Sequence, residues 1–453
     1  MAGAPTWAYG RAMAVGGRPG YRLSSTPGRR RRRNHGLVLA AGIVLVAGCA
    51  AGPVDRSGAG GPVEVTVTAT TTVPAPVVIA PTSSAAPRTA PAAPAGPPLP
   101  AAPAAPTDAG AATGNGSGPA CPGVRCVSLV ITGDVLLHPD LVDQARVDGG
   151  GTPDFFPLLA AQQPYVAGAD LAVCHLETPL APAEGPFHGY PSFSVPPQVL
   201  PALVRTGYDA CSTASNHTLD RGTEGLDRTL DALDAAGLAH DGSYRTAADA
   251  VTPVVLDGST GRVGLISVTY GLNGHEPEEP WRVGRIDTDA IVAGAARARA
   301  AGADLVVVAV HAGTEYEPTP NPEQEQLARE LLADPGIDLV YGHHAHVVQP
   351  MERIGGKWAI HGLGNAVAAQ SSGADGIQEG LLVRVQFSQA ADGTWSTSDV
   401  AWVASHQSRR APYRWCALSP TDTCGTDDPG LLAGTTDTVN SRGADTHGAR
   451  RLN

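Results

Sequence analysis

The chain has 453 residues, which is enough for two or three domains. Its formal net charge is -12; residues 1–48 hold eight arginines and no acidic residue, so the remainder carries 23 basic against 43 acidic residues. An acidic body excludes nucleic acid as an expected partner and argues against loose electrostatic binding of any polyanion. An anionic substrate would need a metal ion or a local arginine cluster to offset that charge.

The first segment of the chain has the features of an export signal. A basic run, Arg29 to Arg33, precedes an apolar stretch, Gly36 to Gly48, that has the length of a signal-peptide h-region and is too short to span a bilayer. It closes in Val46-Ala47-Gly48-Cys49, which resembles a bacterial lipobox and implies that Cys49 becomes the lipidated first residue. The alternative is a short uncleaved anchor with an incidental cysteine. We therefore predict a lipoprotein-type signal peptide over residues 1–48 and a chain anchored outside the cytoplasm to the bacterial cell membrane.

Two polar segments flank the predicted folded region. Residues 49–120 are rich in Pro, Ala, Thr, Gly and Ser and cannot bury enough surface to offset the entropy of folding, so we predict a disordered tether. Fully extended, roughly 70 residues reach at most roughly 200 Å, which suits a domain held away from the membrane. Residues 411–453 are predicted as a cysteine-containing segment and, from about residue 425, a disordered polar tail.

Six cysteines follow Cys49, and an even count in an exported chain favours disulfides. Local spacing suggests that Cys121 pairs with Cys126 and that Cys416 pairs with Cys424. Cys174 and Cys211 then remain, on two strands that could be neighbours. Zinc–cysteine sites are the alternative, but the sequence has no Cys-x-x-Cys.

Between the flanking segments, residues 121–410 are predicted as one α/β domain with a largely parallel core, because strand-like runs alternate with helical periodicity. One helix is predicted after Asn216, ending at Gly237, and another over Pro322 to Asp334. The later runs Gly380 to Phe387 and Trp395 to Ala404 are strand-like and are candidates to close a second sheet.

Five of the apolar runs end in side chains that can bind a metal. They lead to Asp134, with His138 four residues on; to His175 and Glu177; to Asn216 and His217; to His311; and to His343, His344 and His346. In an open α/β sheet, ligands bind at the carboxyl edge of the strands, so these ends are expected to converge. Imidazole is the commonest protein ligand for transition metals. The pattern therefore predicts a metal site of the kind that enzymes use.

The ordered motifs also resemble a known family. Gly133-Asp134, Glu177, Asn216-His217-x-x-Asp220-x-Gly222, His311-x-Gly313-x-Glu315-Tyr316, His344-x-His346 and Gly362-Leu363-Gly364-Asn365 resemble the CapA family of capsule or poly-γ-glutamate synthesis proteins, over roughly residues 128–367. That family in turn is similar to the calcineurin-like metallophosphoesterases. The resemblance implies an α/β fold in which a sandwich of two β-sheets is flanked by helices.

The resemblance further implies a set of site residues. It predicts one or two divalent ions (Mn, Fe, Zn or Mg) and makes His217 the acid or oxyanion-stabilising group. The implied metal ligands are Asp134, Glu177, Asn216, His311, His344 and His346. Asp220 and Glu315 are candidates to orient the ligand imidazoles, and Tyr316 and Arg353 are candidates for substrate contact.

This sequence departs from the phosphoesterase pattern at three positions. The usual Asp-x-His opening is absent, so His138 can point elsewhere; the acid of the next motif is the longer Glu177; and His175 stands where related sequences commonly have Asn. His175 would either add a ligand or pack behind the ligands. His343 is either a wall of the site or a structural residue.

Each piece also has a plainer interpretation. Asp134 could cap a helix, and Asn216-His217 could be an ordinary polar turn. The segment Gly362 to Asn365 is interpreted as a tight turn that passes close to the site. The remaining histidines are interpreted as surface or hydrogen-bonded residues: His188, His240, His275, His361 and His406.

These observations favour a membrane-anchored protein that makes or remodels a cell-surface polymer. Its predicted activity is metal-dependent hydrolysis of a phosphoester or amide by metal-activated water. The alternative is a non-catalytic scaffold of a membrane polymer synthase or export complex. A lipoprotein that captures small ligands would need a deep aromatic pocket, which an aromatic content of 5% makes less attractive.

Overall fold

A computed structural model of the chain describes residues 118–452. The predicted signal peptide, Cys49 and almost all of the predicted tether lie outside the described residues. Among the described residues, no helix combines the length and the apolar character needed to cross a membrane.

The described residues form two β-sheets and their flanking helices. The strands are β1 (Arg125–Leu136), β2 (Leu171–Leu176), β3 (Ala210–Ser212), β4 (Ala239–Asp241), β5 (Val254–Asp257), β6 (Arg262–Thr269), β7 (Leu305–His311), β8 (Leu339–His343), β9 (Met351–Ile354), β10 (Lys357–Ile360), β11 (Asn365–Ala368), β12 (Glu379–Gln389), β13 (Trp395–Gln407), β14 (Trp415–Ala417) and β15 (Arg450–Arg451). The α-helices are α1 (Pro139–Asp148), α2 (Phe156–Leu159), α3 (Gln163–Val166), α4 (Val199–Thr206), α5 (Gly222–Ala236), α6 (Thr288–Ala300), α7 (Pro322–Ala333) and α8 (Leu431–Asn440).

Both sheets have parallel centres. The larger sheet has the order β14-β13-β12-β1-β2-β3-β4, with β11 also paired to β1 and β15 to β13; the smaller has the order β5-β6-β7-β8-β10-β9. The strands β1 to β4 run parallel to one another, as do β6, β7, β8 and β10. Within each sheet, the carboxyl ends of the parallel strands therefore lie at the same edge.

The sheets stack face to face, and helices cover both outer faces. Leu129 and Ile131 of β1 belong to the core between the sheets, together with Leu305 and Val307 of β7, whereas Val130 belongs to the core under α1 to α5. Such alternation follows from the period of two along a strand. Helices α6 and α7 cover the outer face of the smaller sheet. The predicted helix-flanked sandwich of two sheets is the architecture of the protein.

Local signals set the two helices that the sequence predicted. Helix α5 ends at Gly237, whose φ of 73° lies in the left-handed region that favours glycine. Helix α7 begins after Asn321, whose side chain accepts from the backbone N–H of Gln324 in a capping box. Both ends agree with the prediction to within one residue.

The assignment of the two late strands to a second sheet was wrong. Strand β12 pairs antiparallel with β1 over Arg125 to Thr132, and β13 pairs antiparallel with β12. Both strands extend the larger sheet, because β2 occupies only one edge of β1 and β12 pairs along the other.

The prediction of a disordered tail from residue 425 is also wrong for the described residues. Helix α8 places Val439 in the core between the sheets, and Ala444 follows it there; both are fully buried. Arg442 forms ion pairs with Glu325 of α7 and with Glu352 of β9, a strand of the smaller sheet. Tertiary contacts therefore order a segment whose polar, glycine-containing composition gives little local preference for a helix.

Disulfides join three pairs of cysteines. The bonds link Cys121 with Cys126, Cys174 with Cys211, and Cys416 with Cys424. Cys174 and Cys211 are register partners on the neighbouring strands β2 and β3. The pairs Cys121–Cys126 and Cys416–Cys424 are those that local spacing suggested, and the two cysteines that remained pair with each other.

Candidate metal centre

The candidate site lies where the carboxyl ends of β1 and β2 meet those of β7 and β8. Asp134 pairs in register with His175 in the larger sheet, and His311 pairs with His343 in the smaller one. Contacts cross between the sheets: His343 Nδ1 lies 2.7 Å from Asp134 Oδ1, and His175 Nε2 lies 2.9 Å from His311 Nδ1. Polar side chains therefore join the two sheets at this edge, in a region that is otherwise apolar core.

Glycines before two of these residues allow neighbouring backbones to approach. A Cβ at Gly133 would lie 2.0 Å from the carbonyl oxygen of Gly364, and that oxygen accepts from the backbone N–H of Asp134 at 3.0 Å. A Cβ at Gly342 would lie 2.0 Å from the carbonyl oxygen of His361. Any larger residue at either position would displace the strand that carries the adjacent polar side chain.

The segment from His344 to His346 turns sharply into the site. His344 has φ 83° and His346 has φ 58°, a left-handed backbone that costs roughly 1–2 kcal/mol for each residue that is not glycine. Asp134 Oδ2 compensates by accepting from the backbone N–H of His344 at 3.2 Å and lying 3.1 Å from His346 Nδ1. Asn365 Oδ1 lies 3.1 Å from the same nitrogen. These contacts hold the backbone of the turn and fix the imidazole of His346 in a buried position.

The other predicted ligands belong to the same cluster. Glu177 Oε1 lies 3.7 Å from His346 Nε2 and 4.0 Å from His311 Nε2. Asn216 Oδ1 lies 2.9 Å from His311 Nε2, and the ring of His344 lies 4.8 Å from that of His311, centroid to centroid. The structure thus brings all six predicted ligands to one place.

His217 lies beside this cluster with a different partner. Its Nδ1 lies 2.8 Å from Asp220 Oδ2, and the same oxygen accepts from the backbone N–H of Phe193 at 2.7 Å. The sequence analysis predicted that Asp220 orients the imidazole of a metal ligand. This was wrong, because Asp220 orients His217. Glu315 is exposed, and one of its oxygens could join His344 and His346 around an ion.

Two histidines lie closer to the centre than the sequence indicated. His175 stacks on His343 with ring centroids 3.9 Å apart, and both rings are fully buried. His343 could add a ligand through Nε2, which has no hydrogen-bond partner among the described residues, whereas both nitrogens of His175 contact Ser212 and His311. The signal was present in the sequence, because both residues stand at strand ends beside predicted ligands.

His138 is held through its Nδ1 by backbone atoms. Its Nδ1 lies 3.0 Å from the carbonyl oxygen of Leu136 and 3.3 Å from the backbone nitrogen of Ala369. Its ring packs edge-on against Phe193. The contacts of this Nδ1 are therefore to the backbone.

Sequence reasoning missed two asparagines. Asn365 bonds to His346, and its Nδ2 also donates to the carbonyl oxygen of Ile377 at 2.8 Å. Asn273, after β6, accepts at Oδ1 from Asn216 Nδ2 at 3.3 Å. Asn365 belonged to a quoted motif but was interpreted as part of a turn, and no pattern near Asn273 indicated a role.

The remaining candidates lie elsewhere. Tyr316 borders the cluster, with its ring 6.2 Å from that of His346, whereas the guanidinium of Arg353 donates to the carbonyl oxygen of Gly356 in the β9–β10 hairpin. His188 and His275 are exposed. Three more histidines pair with carboxylates: His240 with Asp234, His361 with Glu352, and His406 with Glu379.

Several ligand atoms of the cluster have no other role within residues 118–452. Neither carboxylate oxygen of Glu177 has a hydrogen-bond partner there, and the same holds for His343 Nε2 and His344 Nδ1, although all four atoms are buried. A buried polar atom without a partner costs roughly 1–3 kcal/mol. Carboxylate oxygens and imidazole nitrogens are ligands of Zn, Mn and Fe. The donor set therefore fits a divalent ion.

Burial and mutual contact shift the ionisation of these groups strongly. Burial raises the pKa of Asp134, but hydrogen bonds from His343 and His346 outweigh it and hold this pKa well below its usual value. Burial raises the pKa of Glu177 well above its usual value, and burial lowers the pKa of His344 to about 3. The pKa of His346 is lowered by burial but raised more by Glu177 and Asp134, to about 9. Perturbed groups of this kind cluster at functional sites.

Comparison with known proteins gives relatives in several bacteria. The chain is 30% identical over 214 residues to a probable polyglutamine synthesis accessory protein of Mycobacterium tuberculosis, covering 44% of this chain and 55% of the relative. It is 30% identical over 102 residues to the PGA biosynthesis protein CapA of Bacillus subtilis, covering 22% of this chain and 25% of the relative. The chain thus spans between a quarter and just over half of the length of these relatives.

A solved structure and a family model also match. The structure of calcineurin-like phosphoesterase YfkN from Bacillus subtilis aligns with 69% of this chain and 96% of its own, at 15% identity and a TM-score of 0.38. The family described as bacterial capsule synthesis protein PGA_cap matches residues 128–370, which is more than half of the chain. The protein therefore belongs to the PGA_cap family of bacterial capsule synthesis proteins.

Proposed function

We propose that the protein is a metal-dependent hydrolase that cuts a phosphoester or amide bond during the making or remodelling of a capsule-type polymer outside the cell. One observation carries this proposal: the cluster around Asp134 offers buried carboxylate and imidazole atoms, at the meeting edge of two sheets, that have no partner among the described residues. Structural polar clusters normally satisfy their own hydrogen bonds.

The proposed ligands of one or two ions are the six residues of the sequence prediction. They are Asp134, Glu177, Asn216, His311, His344 and His346, with His343 and Glu315 close enough to add donors. When bound, a divalent ion would lower the pKa of a water molecule to near neutrality and polarise the bond under attack. Asp134 also holds the turn that carries His344 and His346, so it has both a binding and an orienting part.

His217 is the proposed proton donor. A proton on Nδ1 is held by Asp220 Oδ2, which leaves Nε2 as the atom that can exchange a proton with a leaving group. Phe193 packs edge-on against the ring with centroids 4.8 Å apart, and its backbone N–H fixes the same Asp220 oxygen. Orientation and tautomer of His217 are therefore set before substrate arrives.

The substrate class is proposed from the family and from charge. Relatives carry names that refer to polyglutamine or PGA biosynthesis. The chain after residue 48 is strongly acidic, so a polyanion would be repelled everywhere except where cations gather. A cation-loaded centre is the place on this protein where a phosphate or a glutamate polymer would bind best.

The test measures metal content and turnover together. Purified protein is analysed for Mn, Fe, Zn and Mg, and then assayed with bis(p-nitrophenyl) phosphate and with a γ-glutamyl amide. We expect turnover that depends on a divalent ion and that falls at least 100-fold in His217→Ala with the metal retained. His188→Ala, an exposed histidine, is the matched control and should behave as wild type. Metal binding without turnover of either substrate under any ion would exclude the hydrolase.

A second candidate is a non-catalytic scaffold of a polymer synthase. The absence of an Asp-x-His motif favours it: His138 stands four residues after Asp134, and its Nδ1 contacts the backbone of Leu136 and Ala369. A scaffold would copurify with membrane synthase subunits, and the metal would affect only its unfolding temperature.

The proposed location is the outer face of the cell membrane, through a lipid on Cys49. This residue lies outside the described part of the chain, and the proposal depends on the lipobox-like sequence before it. Mass spectrometry of the membrane-extracted protein should find an acylated N-terminal Cys49 peptide. An unmodified peptide, or Cys49→Ser protein that stays in the membrane fraction, would contradict it.

A further inference from the structure

A chain of hydrogen bonds runs behind the candidate metal centre, from β3 of the larger sheet to β7 of the smaller one. Ser212 Oγ lies 2.9 Å from His175 Nδ1, and His175 Nε2 lies 2.9 Å from His311 Nδ1. All three side chains are at least 99% buried. The chain ends at the other nitrogen of His311, which lies among the proposed ligand atoms.

The direction of the hydrogen bonds decides whether His311 Nε2 carries a lone pair or a proton. Ser212 Oγ lies 3.3 Å from the carbonyl oxygen of Cys174, which only accepts, so the hydroxyl can donate there and accept from His175 Nδ1–H. A neutral imidazole has one N–H, so His175 Nε2 then accepts from His311 Nδ1–H. In this arrangement Nε2 of His311 carries a lone pair. In the reverse arrangement Ser212 Oγ–H donates to His175 Nδ1, and His311 Nε2–H donates to Asn216 Oδ1 at 2.9 Å.

The surroundings of His311 Nε2 are those of a cation ligand. Asn216 Oδ1 lies 2.9 Å away and Glu177 Oε1 lies 4.0 Å away, so these oxygens can face either a proton on Nε2 or a divalent ion. The carboxamide of Asn216 is held in this orientation because its Nδ2 donates to Asn273 Oδ1. Lone pairs that face one another in a buried space are stabilised by a positive ion among them.

We propose that His175 is a positioning residue, which holds His311 as the Nδ1–H tautomer so that His311 Nε2 binds the divalent ion. The inference rests on the proposed function, in which His311 is a ligand. Metal-bound histidines normally donate their second N–H to a carboxylate, a carbonyl or water. Here a second imidazole takes that role, and its ring is fixed by stacking on His343 at 3.9 Å.

The test compares two substitutions in the full-length protein. His175→Phe keeps an aromatic ring against His343 but removes both nitrogens, whereas His175→Gln retains an acceptor and a donor near the positions of the ring nitrogens. We expect the Kd for Mn²⁺ or Zn²⁺ to rise about 10- to 100-fold in His175→Phe and to recover to within a few-fold of wild type in His175→Gln. His240→Phe, which removes a histidine that pairs with Asp234 outside the cluster, should leave the Kd unchanged.

A second measurement does not depend on affinity. Ring ¹⁵N chemical shifts of histidine-labelled, Zn²⁺-loaded protein report the tautomer of His311, assigned with a His311→Gln variant. We expect the Nδ1–H form in wild type and in His175→Gln. A His311 ring protonated at Nε2 in the wild type, or a folded His175→Phe protein with an unchanged Kd, would overturn the inference. A wild type that binds no divalent ion would defeat the proposed function, whereas a wild type that binds the ion and loses no affinity in folded His175→Phe would defeat only the role of His175.

Discussion

Replacing Glu177 with glutamine should separate the effect of this residue on the stability of the metal-free protein from its role in metal binding. In the described part of the chain its two oxygens accept no hydrogen bond, and burial raises the pKa of its carboxyl well above the usual value. Burial therefore disfavours the charged form of Glu177 in the metal-free protein, and a glutamine closely matches the acid in shape. We expect the free energy of unfolding in chelator to change by less than about 1 kcal/mol.

In the presence of metal the two proteins should differ. An ion at 100 times its Kd stabilises the wild type by about 2.7 kcal/mol. If loss of one carboxylate weakens binding about 100-fold, the same ion concentration stabilises Glu177→Gln by only about 0.4 kcal/mol. Urea unfolding followed by circular dichroism, with chelator and with Mn²⁺ or Zn²⁺, measures both quantities. Glu224→Gln, at a side chain that is 93% exposed, is the control. Equal metal-induced stabilisation of Glu177→Gln and wild type would refute the reasoning.

Three further predictions concern other parts of the fold. Burial raises the pKa of Asp241 to about 7, so the folded state binds this proton more tightly than the unfolded state does. As the pH rises from about 4 to 7, the free energy of unfolding should therefore fall by up to about 1.4 kcal/mol per pH unit. Urea unfolding across that range should show a shallower slope for Asp241→Asn; an identical slope would contradict the assignment. Arg442→Met removes two ion pairs, each between partners about a quarter exposed. It should lower the free energy of unfolding by about 1–2 kcal/mol and speed proteolysis within α8. An unchanged rate of cleavage in α8 would show that other contacts hold the helix. Asn273→Ala frees the carboxamide of Asn216 and should weaken metal binding by about 2- to 10-fold in calorimetry, the value of one hydrogen bond; an unchanged Kd would remove Asn273 from the site.

The positions of the candidate ligands were predictable from the sequence because strand ends are local features. Each apolar run that ends in a polar side chain marks the carboxyl end of a buried strand, and parallel strands bring those ends to one edge. Asp134 and His311 were found in this way. Which sheet a strand joins is a tertiary property, however, so the pairing of β12 with β1 could not be inferred from the alternation within β12 itself.

The exact partners within the site depended on turns and on distant contacts. His344 and His346 lie in a left-handed turn whose direction is set by Asp134, some 210 residues earlier in the chain. No local pattern could therefore show that His343 also contacts Asp134. For α8 the reason is different: its helix is held by burial of Val439, while its own composition gives a weak signal.

The measurement that tests the central claim most directly is the binding of Mn²⁺ and Zn²⁺ to the chelator-treated protein, by calorimetry and by elemental analysis after gel filtration. We predict one or two ions per chain with a Kd in the micromolar range or below, and loss of that binding in Asp134→Asn, which removes a charge at the contact of the two sheets. A folded wild-type protein that retains no divalent ion, or an Asp134→Asn variant that binds as tightly as wild type, would contradict the account.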